Sequence, residues 1–125
     1  MDYKYELTVV PVSDVDRAKD FYERRLGFKV DVDHRTGEDF RVVQLTPPGS
    51  AASISIGTGI SRGEPGSYQG MHLVVDDVEA ARAQLVERGV GVSDVQDFPW
   101  GRFVFFSDPD GNEWAIQQVP PREES

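Results

Sequence analysis

The chain has two histidines, His34 and His72, and no cysteine. An imidazole changes charge near neutral pH. His72 lies in the apolar run Met71-His72-Leu73-Val74 and is therefore a candidate acid–base group. The competing structural reading is a partly buried imidazole held by a hydrogen bond. His34 adjoins the polar turn Arg35-Thr36-Gly37-Glu38-Asp39 and reads as solvated. Without cysteine, disulfides and thiolate metal sites are excluded. Alternate residues of a strand share a face, so Glu113, Ala115 and Gln117 form one row, and Phe103 and Phe105 another. A strand apolar on both faces, as 102–107 is, needs cover on both sides: core on one, an apolar pocket or a second chain on the other. Trp100 stands in the loop Phe98-Pro99-Trp100-Gly101, where it can stack on a ligand or fill a gap. No Gly-x-Ser-x-Gly elbow and no phosphate-binding glycine loop occurs.

The formal net charge is −9. Nucleic-acid binding needs clustered Lys and Arg, so that class is not expected. The charge serves solubility, and it would also attract a cationic ligand. No run approaches the ~20 apolar residues of a membrane helix, and the N-terminus lacks the pattern of a signal peptide. A cytoplasmic protein is expected.

The elements that must position these residues come in two sets. Val12-Ser13-Asp14-Val15-Asp16-Arg17-Ala18 returns as Val75-Asp76-Asp77-Val78-Glu79-Ala80-Ala81, and Arg41-Val42-Val43-Gln44-Leu45 as Arg102-Phe103-Val104-Phe105-Phe106. Residues 5–12 read as a strand. Ser13 with Asp16 reads as a capping box opening a helix that closes at Gly27. Strands follow over 28–34, 40–46 and 52–57. Residues 58–69, rich in Gly, Pro and Ser, read as a linker. The pattern then restarts: a strand over 70–75, a helix capped by Asp76 with Glu79 and closed at Gly89, and strands over 90–95, 102–107 and 113–119. Residues 96–101 read as a loop. Arg41 and Arg102 stand at matching strand starts, where each suits a surface ion pair or an anion contact. A unit of ~60 residues is marginal alone, so residues 1–125 are expected to be a single domain. The fold class is α+β: two βαβββ modules, about 5–57 and 70–119, forming a curved mixed sheet around a cavity with helices outside.

This doubled unit, with Phe21-Tyr22, Leu26-Gly27-Phe28 and Asp108-Pro109-Asp110-Gly111-Asn112, resembles the vicinal oxygen chelate superfamily. That group includes glyoxalase I, extradiol dioxygenases, fosfomycin resistance enzymes and bleomycin resistance proteins. The resemblance implies metal ligands, His or Glu, at four strand positions. Here these fall on Leu7, Ser55, Gly70 and Ala115, none of which ligates as the family does. A displaced set of His72, Glu113 and Gln117 is the remaining material for one divalent ion.

The function expected is metal-free binding of a small molecule, sequestering a drug or metabolite, by a homodimer of the bleomycin resistance type, with no cofactor. Ser55, His72, Trp100, Phe103, Phe105, Glu113 and Gln117 are the expected ligand contacts. The alternative is a lyase, isomerase or dioxygenase using His72 as acid–base or a rearranged metal site.

Overall fold

The computed structural model describes residues 1–120. The elements follow the expected βαβββ order: β1 (Leu7–Val9), α1 (Val15–Asp20) running into a π-helical turn (Phe21–Arg25), β2 (Lys29–Thr36), β3 (Phe40–Thr46) and β4 (Ser53–Thr58). The second set is β5 (Met71–Val74), α2 (Val78–Glu87), β6 (Gln96–Phe98), β7 (Gly101–Ser107) and β8 (Glu113–Gln118). Each βαβββ set makes one four-stranded mixed sheet, in the order β1-β4-β3-β2 and β5-β8-β7-β6. In both, the first strand runs parallel to the last and the other pairs are antiparallel.

The helices begin one residue later than the capping boxes imply. Asp14 accepts from the Arg17 amide at 3.1 Å, and Asp77 from the Ala80 amide at 3.1 Å. Ser13 and Asp76 precede these caps. All four residues can cap, so the spacing did not separate them. Ser13 instead donates both its backbone N–H and its hydroxyl to Asp110. Gly27 and Gly89 close the helices at φ 78° and 79°, the left-handed conformation a helix end favours.

The expected strand over 90–95 is displaced. In that stretch Val92 forms only an isolated bridge with Phe106. Ser93 ends the ladder, because its hydroxyl accepts the Phe105 N–H at 2.9 Å. The strand comes later, at Gln96–Phe98, and forms a hairpin with β7 through Pro99 and Trp100.

By their contacts the residues form two compact units. One is Met1–Tyr68 together with Asp108–Asn112; the other is Gln69–Ser107 with the chain from Glu113 on. In the first, Val43, Leu45, Ile54 and Ile56 are buried on the sheet face toward α1, with Ala18, Phe21 and Tyr22. Alternation puts these residues on one face and Gln44 and Ser55 on the other. The turn Asp108–Asn112 is a buried polar knot in this unit. Asp108 Oδ1 accepts the N–H groups of Asp110, Gly111 and Asn112, and Oδ2 accepts the Tyr22 hydroxyl at 2.7 Å. Asn112 Nδ2 donates to the Pro11 carbonyl at 2.8 Å and its Oδ1 accepts the Tyr68 N–H. Buried polar groups must be paired in this way or they destabilise the fold. Gly66 fits here because a side chain would stand 2.1 Å from the Asp110 carbonyl oxygen.

In the second unit α2 packs on β7 and β8. Val104, Phe106, Trp114 and Ile116 are buried with Val78 and Leu85. Among the described residues no helix is long and apolar enough to cross a membrane.

Candidate functional site

The face of the second sheet opposite this core carries an aromatic array. Phe103 is its hub and is only 6% exposed. Its ring lies 5.8 Å from Phe105 in parallel planes, 5.6 Å edge-on to Phe98 and 5.7 Å from the His72 ring. Phe98 in turn stacks on Trp100, 5.3 Å apart and 9° from parallel. These spacings are those of favourable aromatic pairs. The array holds itself in place but remains open: Phe98 and Phe105 are each 38% exposed and Trp100 is 61% exposed.

Strand register sets this arrangement. Phe103 pairs with Gln117, and Phe105 with Ala115. His72 also pairs with Ala115, from the other side of β8. So His72, Phe103, Phe105, Glu113, Ala115 and Gln117 share one face, and Trp114 and Ile116 the other. Gln117 donates its amide to the Trp100 carbonyl at 2.8 Å and so anchors the turn. Gly101 permits this, since a side chain there would stand 2.8 Å from the Gln117 amide nitrogen. Beside the array, Gln69, Gly70, Phe105, Glu113, Trp114 and Ala115 line a depression of about 350 Å3.

Phe98 is the aromatic that the sequence did not single out. Pro99 made 96–101 look like a loop. The available signal was Pro-x-Gly between two aromatic-bearing stretches, which suits a tight hairpin as well as a loop.

Ser55 lies in the first unit, on the sheet face opposite Ile54 and Ile56, and is 3% exposed. The face around it is polar. Gln44 donates to the Ser53 hydroxyl at 3.4 Å, Thr46 and Ser53 share a hydrogen bond at 2.6 Å, and Thr46 also donates to Asp31.

The donor set does not fit a divalent metal. Leu7 and Ala115 offer no donor atom, Gly70 no side chain, and Ser55 one hydroxyl. Among the described residues no group of three or more His, Asp or Glu side chains could hold an ion. His72 and Glu113 share a face but form no ion pair. His72 has no hydrogen-bond partner among the described residues to orient it as a base. A general base must stand within hydrogen-bond reach of the proton it takes.

The strongest electrostatic arrangements lie on the helix side of each sheet. Arg41 donates to Asp33 at 3.0 Å and to Asp16 at 2.7 Å. Its guanidinium holds the Asp33 carboxyl well below the usual carboxylate range, with a lesser hydrogen bond from Lys19 acting the same way. Asp16 is lowered too, chiefly by its hydrogen bond from Arg41. Arg102 makes the matching contacts, to Asp97 at 2.8 Å and Glu79 at 3.5 Å. Both arginines are thus committed to ion pairs.

A model of the family described as Glyoxalase/Bleomycin resistance protein/Dioxygenase superfamily matches residues 4–116. Among solved structures the chain is similar to TnmS3, an antibiotic binding protein from Streptomyces sp. CB03234. The two are 40% identical with a TM-score of 0.86, over 95% of this chain and 98% of that one. A glyoxalase/bleomycin resistance protein from Streptomyces sp. CB03234 is 42% identical with a TM-score of 0.80, over 92% of this chain and 100% of that one. The uncharacterized protein YetH of Bacillus subtilis (strain 168) is 24% identical over 111 residues, 87% of this chain and 92% of its own.

Proposed function

The chain belongs to the Glyoxalase/Bleomycin resistance protein/Dioxygenase superfamily, and we propose that it is a metal-free small-molecule binding protein. It takes an aromatic drug or metabolite and performs no chemistry on it. The observation that carries this reading is the aromatic array of His72, Phe98, Trp100, Phe103 and Phe105 on the open sheet face. A preorganised set of rings offers π surface at little entropic cost. The likeness to an antibiotic binding protein supports the same reading, as does a donor set that lacks three metal-ligating side chains among the described residues. No cofactor is needed for such a role. The protein acts in the cytoplasm as a homodimer, a state supported by large apolar side chains exposed outside the array, such as Phe40, Val74 and Val86.

The test is a thermal-shift screen of aromatic antibiotics and metabolites, with elemental analysis of the purified protein. A compound that stabilises the protein is then incubated at equal concentration and recovered for mass spectrometry. It should return unchanged, from protein holding no stoichiometric metal. Trp100→Ala should weaken its binding by roughly tenfold, about 1.4 kcal/mol. A chemically altered compound, with the change abolished by His72→Ala, would establish the enzyme instead.

A further inference from the structure

We propose that the depression beside Glu113 is a subsite for a cationic amino group carried by the aromatic ligand. The inference rests on the binding role argued above and names the chemical class of ligand.

Three features of one sheet face carry it. The Glu113 carboxylate lines the depression of about 350 Å3 together with Phe105, Ala115 and Gly70. It makes no hydrogen bond or ion pair among the described residues. That sets it apart from Asp16, Asp33 and Asp97, each held by an arginine. Second, the wall at Gly70 is open, since a Cβ there would meet nothing within 4 Å. Third, the carboxylate adjoins the aromatic array. Ala115, the partner of Phe105, is two residues along the strand from Glu113. Same-face neighbours stand roughly 7 Å apart, so a ring stacked on Phe105 places a short aminoalkyl arm at the Glu113 oxygens.

An ammonium group suits both walls. It donates charge-assisted hydrogen bonds to the carboxylate and is attracted to the face of Phe105, which is 38% exposed. A neutral hydroxyl gains much less from either, and an anion is repelled. The preference is local, which separates it from the general attraction of a chain with net charge −9.

The experiment uses three fluorescent probes that differ only at the arm: 1-pyrenemethylamine, 1-pyrenemethanol and 1-pyrenecarboxylate. Affinities are measured at ~0.15 M salt, where long-range fields are damped. The amine should bind roughly tenfold more tightly than the alcohol, and the carboxylate more weakly than both. Glu113→Gln should remove the roughly tenfold preference for the amine, so that amine and alcohol bind alike. Glu113→Lys should turn the preference toward the carboxylate. Glu87→Gln removes the same charge from α2 and should change nothing. Circular dichroism confirms that each variant is folded. Equal binding of amine and alcohol by the unaltered protein overturns the subsite and leaves the aromatic site standing. A preference that survives Glu113→Gln, or that Glu87→Gln weakens as much, overturns it in favour of the overall charge. Failure of all three probes to bind removes the aromatic site and the subsite together.

Discussion

In the first module the sheet face opposite the core carries Gln44, Thr46, Ser53 and Ser55. In the second it carries Phe98, Phe103, Phe105 and His72. The two modules share strand order, helix caps and an arginine bridging a helix acid to a strand acid. Their helix-covered faces do the same work, which is to bury aliphatic and aromatic side chains. The difference lies in what the other face does with its polar or π surface. The first closes on itself: Gln44, Thr46 and Ser53 are joined through hydroxyls and an amide. The second leaves ring surface exposed at Phe98, Trp100 and Phe105. A duplicated scaffold can therefore keep its packing constant while one face becomes a self-satisfied layer and the other leaves its rings open.

The two tryptophans divide that contrast within one module, and they give the largest expected difference. Trp114 is 4% exposed and stacks on Phe106 in the core. Trp114→Ala should lower unfolding free energy by about 3–5 kcal/mol in a urea titration. Trp100→Ala removes a side chain from an exposed turn and should change stability by no more than about 0.5 kcal/mol. A large stability loss from Trp100→Ala would make the open array part of the core and erase the distinction between the two faces.

The arginines test the contrast between modules. The Arg41 side chain is 10% exposed and the Arg102 side chain 37%. Arg41→Met leaves Asp33 without its main partner in a partly buried setting. The loss expected is about 1–3 kcal/mol, the range for hydrogen bonds to charged groups. Arg102→Met breaks more exposed pairs, which are screened by water and salt, and should destabilise distinctly less. Equal losses, measured by the same urea titrations, would show that the two trios are energetically as well as geometrically equivalent.

Much of this was legible because the repeat is written in residue types that have few other uses. Val-x-Asp-Val at an offset of 63 places both helices, and Arg41 and Arg102 mark the same strand position. Alternation put Phe103 with Phe105 and opposed them to Val104 and Phe106, as the register confirms. Less was readable where neighbouring residues are physically interchangeable. Ser13 and Asp14 can each cap a helix, so local preference left a tie that Asp110 breaks by holding Ser13. Proline concealed β6 and, with it, Phe98. The bond from Tyr22 to Asp108 spans 86 residues in sequence. Nothing local to Tyr22 points to a partner so distant.

Acid sensitivity gives the smallest effect and locates it in the first module. Asp33 is held below the usual carboxylate range when folded, first by the hydrogen bond from Arg41 and then by that from Lys19. In the unfolded chain it titrates near the ordinary value of about 3.9. Between these two values the unfolded chain binds the proton that the folded protein refuses. The pair's contribution is therefore complete at neutral pH and is lost as pH falls through the ordinary carboxylate range toward the folded value. Asp16 shifts in the same direction for the same reason. Urea titrations from pH 6 down to about pH 3 should show stability falling with acid. In Arg41→Met the fall should be shallower, though not absent, because Lys19 still donates to Asp33 at 2.9 Å. An unchanged slope in that variant would mean that other carboxylates set the acid response. The first module would then lose its claim to be the more strongly charge-coupled of the two.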